Sequence, residues 1–457
     1  MNHVMVVDLG YGDAGKGTVV DWLCATRPVH TVVRFNGGAQ AAHNVVLADG
    51  RQHTFAQFGA GTFRPGVRTH LSRHVVVDPL ALAAEADHLT SVGVPDALDR
   101  LTVDGEALLA TPYHRAANRA RELARGADRH GSCGLGVGET VAYGLAHPDD
   151  APRVADCHDP ELLRHRLTRL RDRLTAELGP LDAPPVADCL PAFTGFADRV
   201  AVVDRSHLAG VLRAGTCVFE GAQGVLLDEW HGFHPYTTWS TTTFANAEAL
   251  LAEAGLAGTA RRLGVLRTVT TRHGPGPLVT EDRALPLTDP RNPSNPWQGR
   301  FRFGHFDAVA HRYALEVAGG VDGLALTHLD LTDRPLRICR RYDGLDRLPV
   351  GPPGDLDRQA ALTGRLLAAR PVYDPAPGDW AAGVADALGA PVVLTSHGPT
   401  AEDKRPVSAD GSRAWPAGPG RSSPADGGRA WPERSSPAGT ARPRPAGVGD
   451  RPVPAAR

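Results

Sequence analysis

The sequence predicts an α/β protein: a large, mostly parallel central sheet flanked by helices, a P-loop-like nucleotide site, and a disordered C-terminal tail. Two observations predict the sheet. Short apolar runs alternate with helix-period stretches through residues 1–400, the mark of strands joined by helical crossovers. Glycine-rich loops follow several of those runs, and in parallel sheets ligands sit beyond the carboxyl ends of strands. A third observation, the change of composition at residue 401, sets the tail apart.

The first apolar run, residues 4–9, leads into Gly10-Tyr-Gly-Asp-Ala-Gly-Lys-Gly-Thr18. Gly10, Gly15 and Lys16 match the spacing of a phosphate loop, whose backbone N–H groups and lysine wrap phosphates. Gly17 stands where such a loop carries a hydroxyl, and Thr18 comes one residue late. Val19, Val20, Trp22 and Leu23 then repeat at helical spacing, so the loop opens a helix. Asp13 is the anomaly, because a carboxylate inside a phosphate cradle repels the ligand unless it has chemistry to perform.

Further strands are expected at 31–35, 74–77, 216–220, 264–269, 323–329 and 391–395, and helices at 79–89, 116–125 and 308–317. Polar clusters follow these runs in turn. Asn36 to Asn44 includes Gln40 and His43; Gly131-Ser-Cys-Gly134 opens a second glycine loop; Phe219-Glu-Gly-Ala-Gln-Gly224 ends a strand. Then come Thr271-Arg-His-Gly274, Gln298-Gly-Arg-Phe-Arg302, Thr327-His-Leu-Asp330 and Ser396-His-Gly-Pro399. The two oxygens of Asp330 can accept both guanine N1–H and N2–H₂. Arg300 and Arg302, two apart, supply guanidinium forks suited to a dicarboxylate.

The bulk numbers narrow the class. A net charge of -2 over 457 residues gives no reason to expect nucleic acid or a membrane surface as partner. No run approaches the ~18 uncharged apolar residues of a membrane span, and the opening MNHVMVVDLG lacks a basic segment ahead of an apolar core. Six cysteines with no Cys-x-x-Cys pair fit a reduced, cytoplasmic setting. Residues 401–457 hold ten Pro and eight Gly, and repeat Arg-Ala-Trp-Pro and Arg-Ser-Ser-Pro-Ala. Such a stretch buries too little apolar surface to offset its ordering entropy, so it reads as a disordered tail behind one catalytic domain, 1–400.

Taken in order, the motifs resemble the adenylosuccinate synthetase family over residues 4–400. The family's Gly-Asp-Glu-Gly-Lys-Gly is matched by 12–17 except at Ala14, and its Phe-Glu-Gly-Ala-Gln-Gly by 219–224 without change. Its Thr-Lys-x-Asp resembles 327–330, and its Ser-x-Gly-Pro matches 396–399. The resemblance implies a GTP-dependent ligase that joins L-aspartate to the 6-position of IMP through a 6-phosphoryl intermediate, giving adenylosuccinate, GDP and phosphate. It implies Mg²⁺, a homodimer and only small-molecule substrates.

Residue roles follow from the same resemblance. Asp13 is expected to take the N1 proton of the nucleotide and then bind Mg²⁺ beside the Ala42 carbonyl, with His43 as acid and Gln223 on the purine. GTP would be held by Gly12, Gly15, Lys16, Gly17, Thr18, His43, Arg302, His328, Asp330, Ser396 and Gly398. The nucleotide substrate would meet Asp13, Gln40, Ser132, Cys133, Gln223, Thr238 and Arg300, and the amino acid His273, Gln298, Gly299, Arg300 and Arg302. Departures from the family gather near the substrates: Ala14, Gln40, Cys133, Leu135, Trp297 and Gln298 replace its usual residues. A specialised paralogue acting on another 6-oxopurine nucleotide or a related amino acid is therefore the alternative. A regulatory GTPase fits less well, since Gly17 and His328 break its two motifs. A dehydrogenase lacks the acid after the second strand, where Phe35-Asn36 stands. A silent binding protein has no reason to keep Asp13, Lys16 and His43 together.

Overall fold

The computed structural model describes residues 3–407. The first strand, His3–Asp8, is buried along its whole length. Val4 and Val6 enter the hydrophobic core on one face of the sheet, Met5 and Val7 that on the other. A strand covered on both faces belongs in the interior of a parallel sheet, and this one lies there. Thr216–Glu220 and Ala260–Arg267 flank it, both parallel. Outward on one side run Val29–Arg34, Arg68–Leu71, Leu101–Asp104 and Ala201–Val203; on the other run Gly323–Thr327, Val392–Ser396 and Lys404–Pro406. All ten strands form one sheet, and the final edge strand alone pairs antiparallel.

The sequence expectations differ from the structure in several places, and the outer strands Leu101–Asp104 and Ala201–Val203 are not among the expected runs. The run expected at 74–77 is not a central strand; Val76–Val77 forms a small separate pair with Leu108–Leu109. Arg68–Leu71 takes the central place, and its buried His70, bonded to Thr102, hides the strand from a hydropathy reading. The helix expected to begin at 116 begins at Pro112, because Thr111 caps it by accepting the His114 N–H. The boundary at residue 400 is also early: Ala401–Asp403 forms a short 3₁₀ turn and Lys404–Pro406 a strand paired with Leu394–Ser396. The repeats from Arg413 onward lie outside the described residues.

Because the interior strands are parallel, their carboxyl ends share one edge. The loops after Asp8, Arg34, Glu220, Arg267, Thr327 and Ser396 therefore open onto a common surface. Two hairpins lean over it, His43–Val46 with Gln52–Phe55 and Thr270–His273 with Phe301–Gly304.

Candidate active site

Asp8, the last residue of the first strand, organises the phosphate loop. Its carboxylate accepts the backbone N–H groups of Gly10 (2.8 Å), Gly12 (3.3 Å) and Ala14 (2.8 Å), and the Lys16 ammonium at 3.1 Å. Lys16 also donates to the Gln223 carbonyl at 2.8 Å, tying the first loop to the one after Thr216–Glu220. Helix Lys16–Thr26 starts from Gly15 in the left-handed region, with no side-chain cap and no acid in its first turn. Its N-terminal N–H groups and dipole are left for an anion. The missing hydroxyl at Gly17 has a steric cause: a Cβ there would stand 2.8 Å from that of His43. Gly224 is likewise required, since its Cβ would lie 2.2 Å from the Gly10 carbonyl oxygen.

Asp13 adopts a φ of 60°, in the left-handed region, and its carboxylate takes none of the amides that Asp8 gathers. Its Oδ2 lies 3.7 Å from His273 Nε2. Burial raises its pKa, opposed by the charges of His273, Lys16 and Arg267, so it holds a proton more readily than an ordinary aspartate. His43 meets Glu220 at 2.7 Å through Nδ1, and the other Glu220 oxygen accepts the Ala60 N–H at 2.9 Å. Burial drives His43 down to about 4 despite Glu220. Burial also pushes Glu220 up, but His43, Arg34 and the Ala60 N–H outweigh it and hold it low. The pair is thus a carboxylate orienting a neutral imidazole, whose Nε2 is turned from Glu220. Gln40 and Gln223 each keep a buried Oε1 without a hydrogen-bond partner, two unsatisfied acceptors at the positions expected to meet the nucleotide.

At the other end, Thr327 fixes the junction of loop and sheet by donating to the Ala14 carbonyl at 2.7 Å. His328 is left-handed (φ 59°) and half-buried, with its pKa pushed well down by burial. Asp330 sits exposed in the next turn. Ser396 Oγ donates to the Gly398 carbonyl, and Thr18 Oγ1 to the Pro399 carbonyl at 2.7 Å. Lys404, buried in the strand assigned by composition to the tail, donates to the carbonyls of Gly398 (2.9 Å) and Thr400 (2.6 Å) and so anchors this loop.

The remaining expected residues lie on the loops at 131–134 and 295–302, which touch at Trp297, and at Thr238. Ser132 exchanges hydrogen bonds with Asn118, and Trp297 lies against Gly134, where a Cβ would be 2.8 Å from the indole. Cys133 is free and its thiol raised by burial. Thr238 donates its N–H to the Leu227 carbonyl. Asn295 accepts the Gln298 N–H at 2.7 Å, which shapes the turn at Gly299 (φ 83°). Arg300 and Arg302 do converge on one carboxylate, but it is Glu281 of the chain itself. Arg302 also donates to the Gly274 and Gly276 carbonyls, each at 2.9 Å.

Asp8, Glu220, Arg267, Glu281 and Lys404 are the site residues to which sequence reasoning gave no role. An acid closing an apolar strand before a glycine loop is a usable signal for Asp8. Glu220 lies inside the Phe219–Gly224 stretch that matches the family motif. Arg267 is a buried cation whose Nε has no partner, near the charges of Asp13, Asp8 and Asp330. Among the described residues no three His, Cys, Asp or Glu side chains gather as a metal cage. Mg²⁺ needs no such cage, since it uses one or two carboxylates plus phosphate oxygens. The partly exposed Asp13 carboxylate beside the phosphate loop, with the exposed Ala42 near His43, fits that ion.

An α/β sheet with a glycine-lysine loop at the carboxyl end of its central strand defines a nucleotide-binding enzyme class. Within it, the model of the family described as adenylosuccinate synthetase matches residues 5–390, and the chain belongs to that family. Its homologues are ligases that form a C–N bond in a GTP-dependent reaction. The adenylosuccinate synthetase of Acidithiobacillus ferrooxidans is 35% identical over 389 residues, covering 82% of this chain and 87% of the relative. That of Neisseria gonorrhoeae is 32% identical over 433 residues, covering 88% and 97%. Among solved structures, the fully ligated adenylosuccinate synthetase of Plasmodium falciparum superposes with a TM-score of 0.74 at 21% identity, covering 89% of this chain and 100% of the other. The succinoaminodeoxyadenylate synthetase of cyanophage S-2L, bound to dGMP and dATP, gives 0.59 at 21% identity, covering 89% and 95%. These two likenesses concern the fold. Among the described residues no helix is long and apolar enough to cross a membrane.

Proposed function

We propose that the chain joins L-aspartate to the 6-position of IMP with GTP as phosphoryl donor, releasing GDP and phosphate, and that Asp13 is the base that starts the reaction. The carrying observation is the division of labour between two acids of one loop. Asp8 is consumed by three amides and Lys16, whereas Asp13 stands free of them with its proton affinity raised by burial. Asp13 takes the N1 proton, and the electron pair moves onto the 6-oxygen, which attacks the γ-phosphorus as GDP leaves. Lys16 and the helix N-terminus hold the phosphates. His43, whose Nδ1–H is held by Glu220, turns Nε2 toward the reacting groups. It acts as the acid once the negative charge of the bound phosphates has raised its proton affinity and Nε2 has taken up a proton. The amine of aspartate then adds at C6 and phosphate departs with the former 6-oxygen. Mg²⁺, held by Asp13 and the Ala42 carbonyl, would neutralise phosphate charge.

Asp330 with the Ser396–Thr400 loop reads the guanine, and a homodimer in the cytoplasm is the setting the family suggests. The departures at Gln40, Cys133 and Leu135 adjoin the nucleotide, so the substrate is tested as a matrix. Several 6-oxopurine nucleotides are combined with several amino acids, and GTP consumption and product mass are recorded. IMP with aspartate should give the fastest turnover and the mass of adenylosuccinate. Faster turnover with a 2-amino-6-oxopurine nucleotide would replace IMP in this reading.

A further inference from the structure

The arginine loop carries more positive charge than its own carboxylate neutralises, and the geometry divides that charge unequally. Glu281 Oε2 is bound by Arg302 through Nε at 2.9 Å and a terminal nitrogen at 2.6 Å. Arg302 is in turn committed to the carbonyls of Gly274 and Gly276, and its side chain is 15% exposed. Glu281 Oε1 faces Arg300 at 3.0 Å and Arg283 Nε at 3.7 Å, whose side chains are 53% and 78% exposed. All four residues border a cavity of about 360 Å³ between the Gly274–Gly276 turn and Gln298–Gly299. Burial tends to raise the Glu281 carboxyl, yet the hydrogen bonds and charge of Arg302, then the charges of Arg300 and Arg283, hold it below the usual carboxylate range.

We infer that Glu281 is an internal stand-in for the amino-acid substrate, keeping Arg300 and Arg283 in place until a substrate carboxylate displaces its Oε1, and that Arg283 is a specificity-determining residue of this subsite. The inference rests on the reading that an amino acid enters this cavity. With Glu281 and Arg302 compensating one another, Arg300 and Arg283 leave two positive charges. An aminodicarboxylic acid with its amine unprotonated, the form that attacks, carries two negative ones. A monocarboxylic amino acid leaves one guanidinium unmatched. Pairs as exposed as Arg300–Glu281 are weak and exchange readily, which lets a substrate carboxylate replace Oε1. Arg302 cannot exchange so easily and acts as a positioning residue through the Gly274–Gly276 turn.

The test varies aspartate at saturating GTP and nucleotide, and measures succinate as a competitor that lacks the amine. In Glu281→Gln the built-in competitor loses its charge while an amide can still bond Arg302. Succinate inhibition should tighten several-fold and the aspartate KM should not rise, even as kcat falls. Arg283→Ala, at an exposed position, should raise the aspartate KM by about tenfold, the loss of one charged hydrogen bond, with the GTP KM and the Tm at wild-type values. Unchanged succinate inhibition in Glu281→Gln, or a wild-type aspartate KM in Arg283→Ala, would overturn the inference. If Glu281→Gln does not fold, Arg283→Ala decides. Should the wild type release no phosphate in response to aspartate, the proposed reaction fails instead. Calorimetric titration of succinate into wild type and Glu281→Gln then decides the stand-in role, tighter binding to the variant supporting it and equal binding overturning it.

Discussion

At the phosphate loop a fully buried carboxylate, Asp8, holds Lys16 and three amides; at the amino-acid loop a partly exposed one, Glu281, holds Arg302 and faces Arg300 and Arg283. Both gather the cationic groups that substrate anions need, but they differ in permanence. Every partner of Asp8 lies within the loop or the helix it opens, and neither charge of the Asp8–Lys16 pair sees water. Removing one member of a buried pair strands the other, so the arrangement cannot exchange. Glu281 has one oxygen tied down and one in contact with solvated arginines. A phosphate loop must keep one shape throughout turnover, whereas an amino-acid subsite must admit and release a carboxylate. The two acids fit those two demands.

Asp8→Asn breaks the comparison most severely. Lys16 keeps its charge in a buried site that has lost its hydrogen-bonded counter-ion, so stability should fall by about 3 kcal/mol or more, the usual result of splitting a buried pair. Glu281→Gln should cost under about 1 kcal/mol, as partly exposed pairs do. Chemical denaturation of both variants measures the contrast; equal losses would erase it.

Asp13→Asn asks whether the second acid of the loop is chemical and not structural. An amide cannot accept the N1 proton, so kcat should drop ~10²-fold or more, with the fold intact and GTP still bound through Lys16 and the helix N-terminus. Turnover near that of wild type would remove Asp13 as base.

Acid separates permanently buried groups from exchangeable ones in a third way. Burial holds His70 and His114 at about 3 and His311 at about 4. Their folded values lie below the unfolded value near 6.5, so the unfolded chain binds more protons between those limits. Stability is complete above about pH 6.5 and falls with pH below it, by roughly 1 kcal/mol per histidine for each unit. Thermal melts from pH 7.5 to 5.5 should show that decline, and a flat profile would mean that these rings gain protons without unfolding.

A modest effect is expected at Asp330, an exposed residue that should read guanine. Asp330→Asn should narrow the preference for GTP over ATP by on the order of 1 kcal/mol, measured as a ratio of kcat/KM values. Equal use of GTP and ATP by the wild type would remove that role.

Much of this arrangement is legible in the chain. The apolar runs at 4–9 and 216–220, with Lys16 and Gly224 behind them, mark the central strands and the loops that meet there. What escapes has physical reasons. Arg68–Leu71 carries a half-buried Arg and buried Thr and His side chains, so its place in the sheet depends on partners such as Thr102 that no local pattern reveals. Glu281 lies about twenty residues from the arginines it holds, brought to them only when Thr270–His273 pairs with Phe301–Gly304. Lys404 begins a strand inside a stretch whose composition is that of the tail, and its pairing with Ser396 is a tertiary fact. The expectation that Arg300 and Arg302 point to one side, toward a dicarboxylate ligand, rests on alternate residues of an extended segment facing one way, and the two do converge, on Glu281. That alternation cannot say whose carboxylate they share.

The claim that Asp13 works on the 6-oxygen of a purine nucleotide has a direct test in the fate of that atom. IMP labelled with ¹⁸O at the 6-position is turned over with GTP and aspartate, and the released phosphate is analysed by mass. If the 6-oxygen is phosphorylated and then displaced by the amine, each phosphate leaves carrying the label. Unlabelled phosphate formed in step with product would contradict the account.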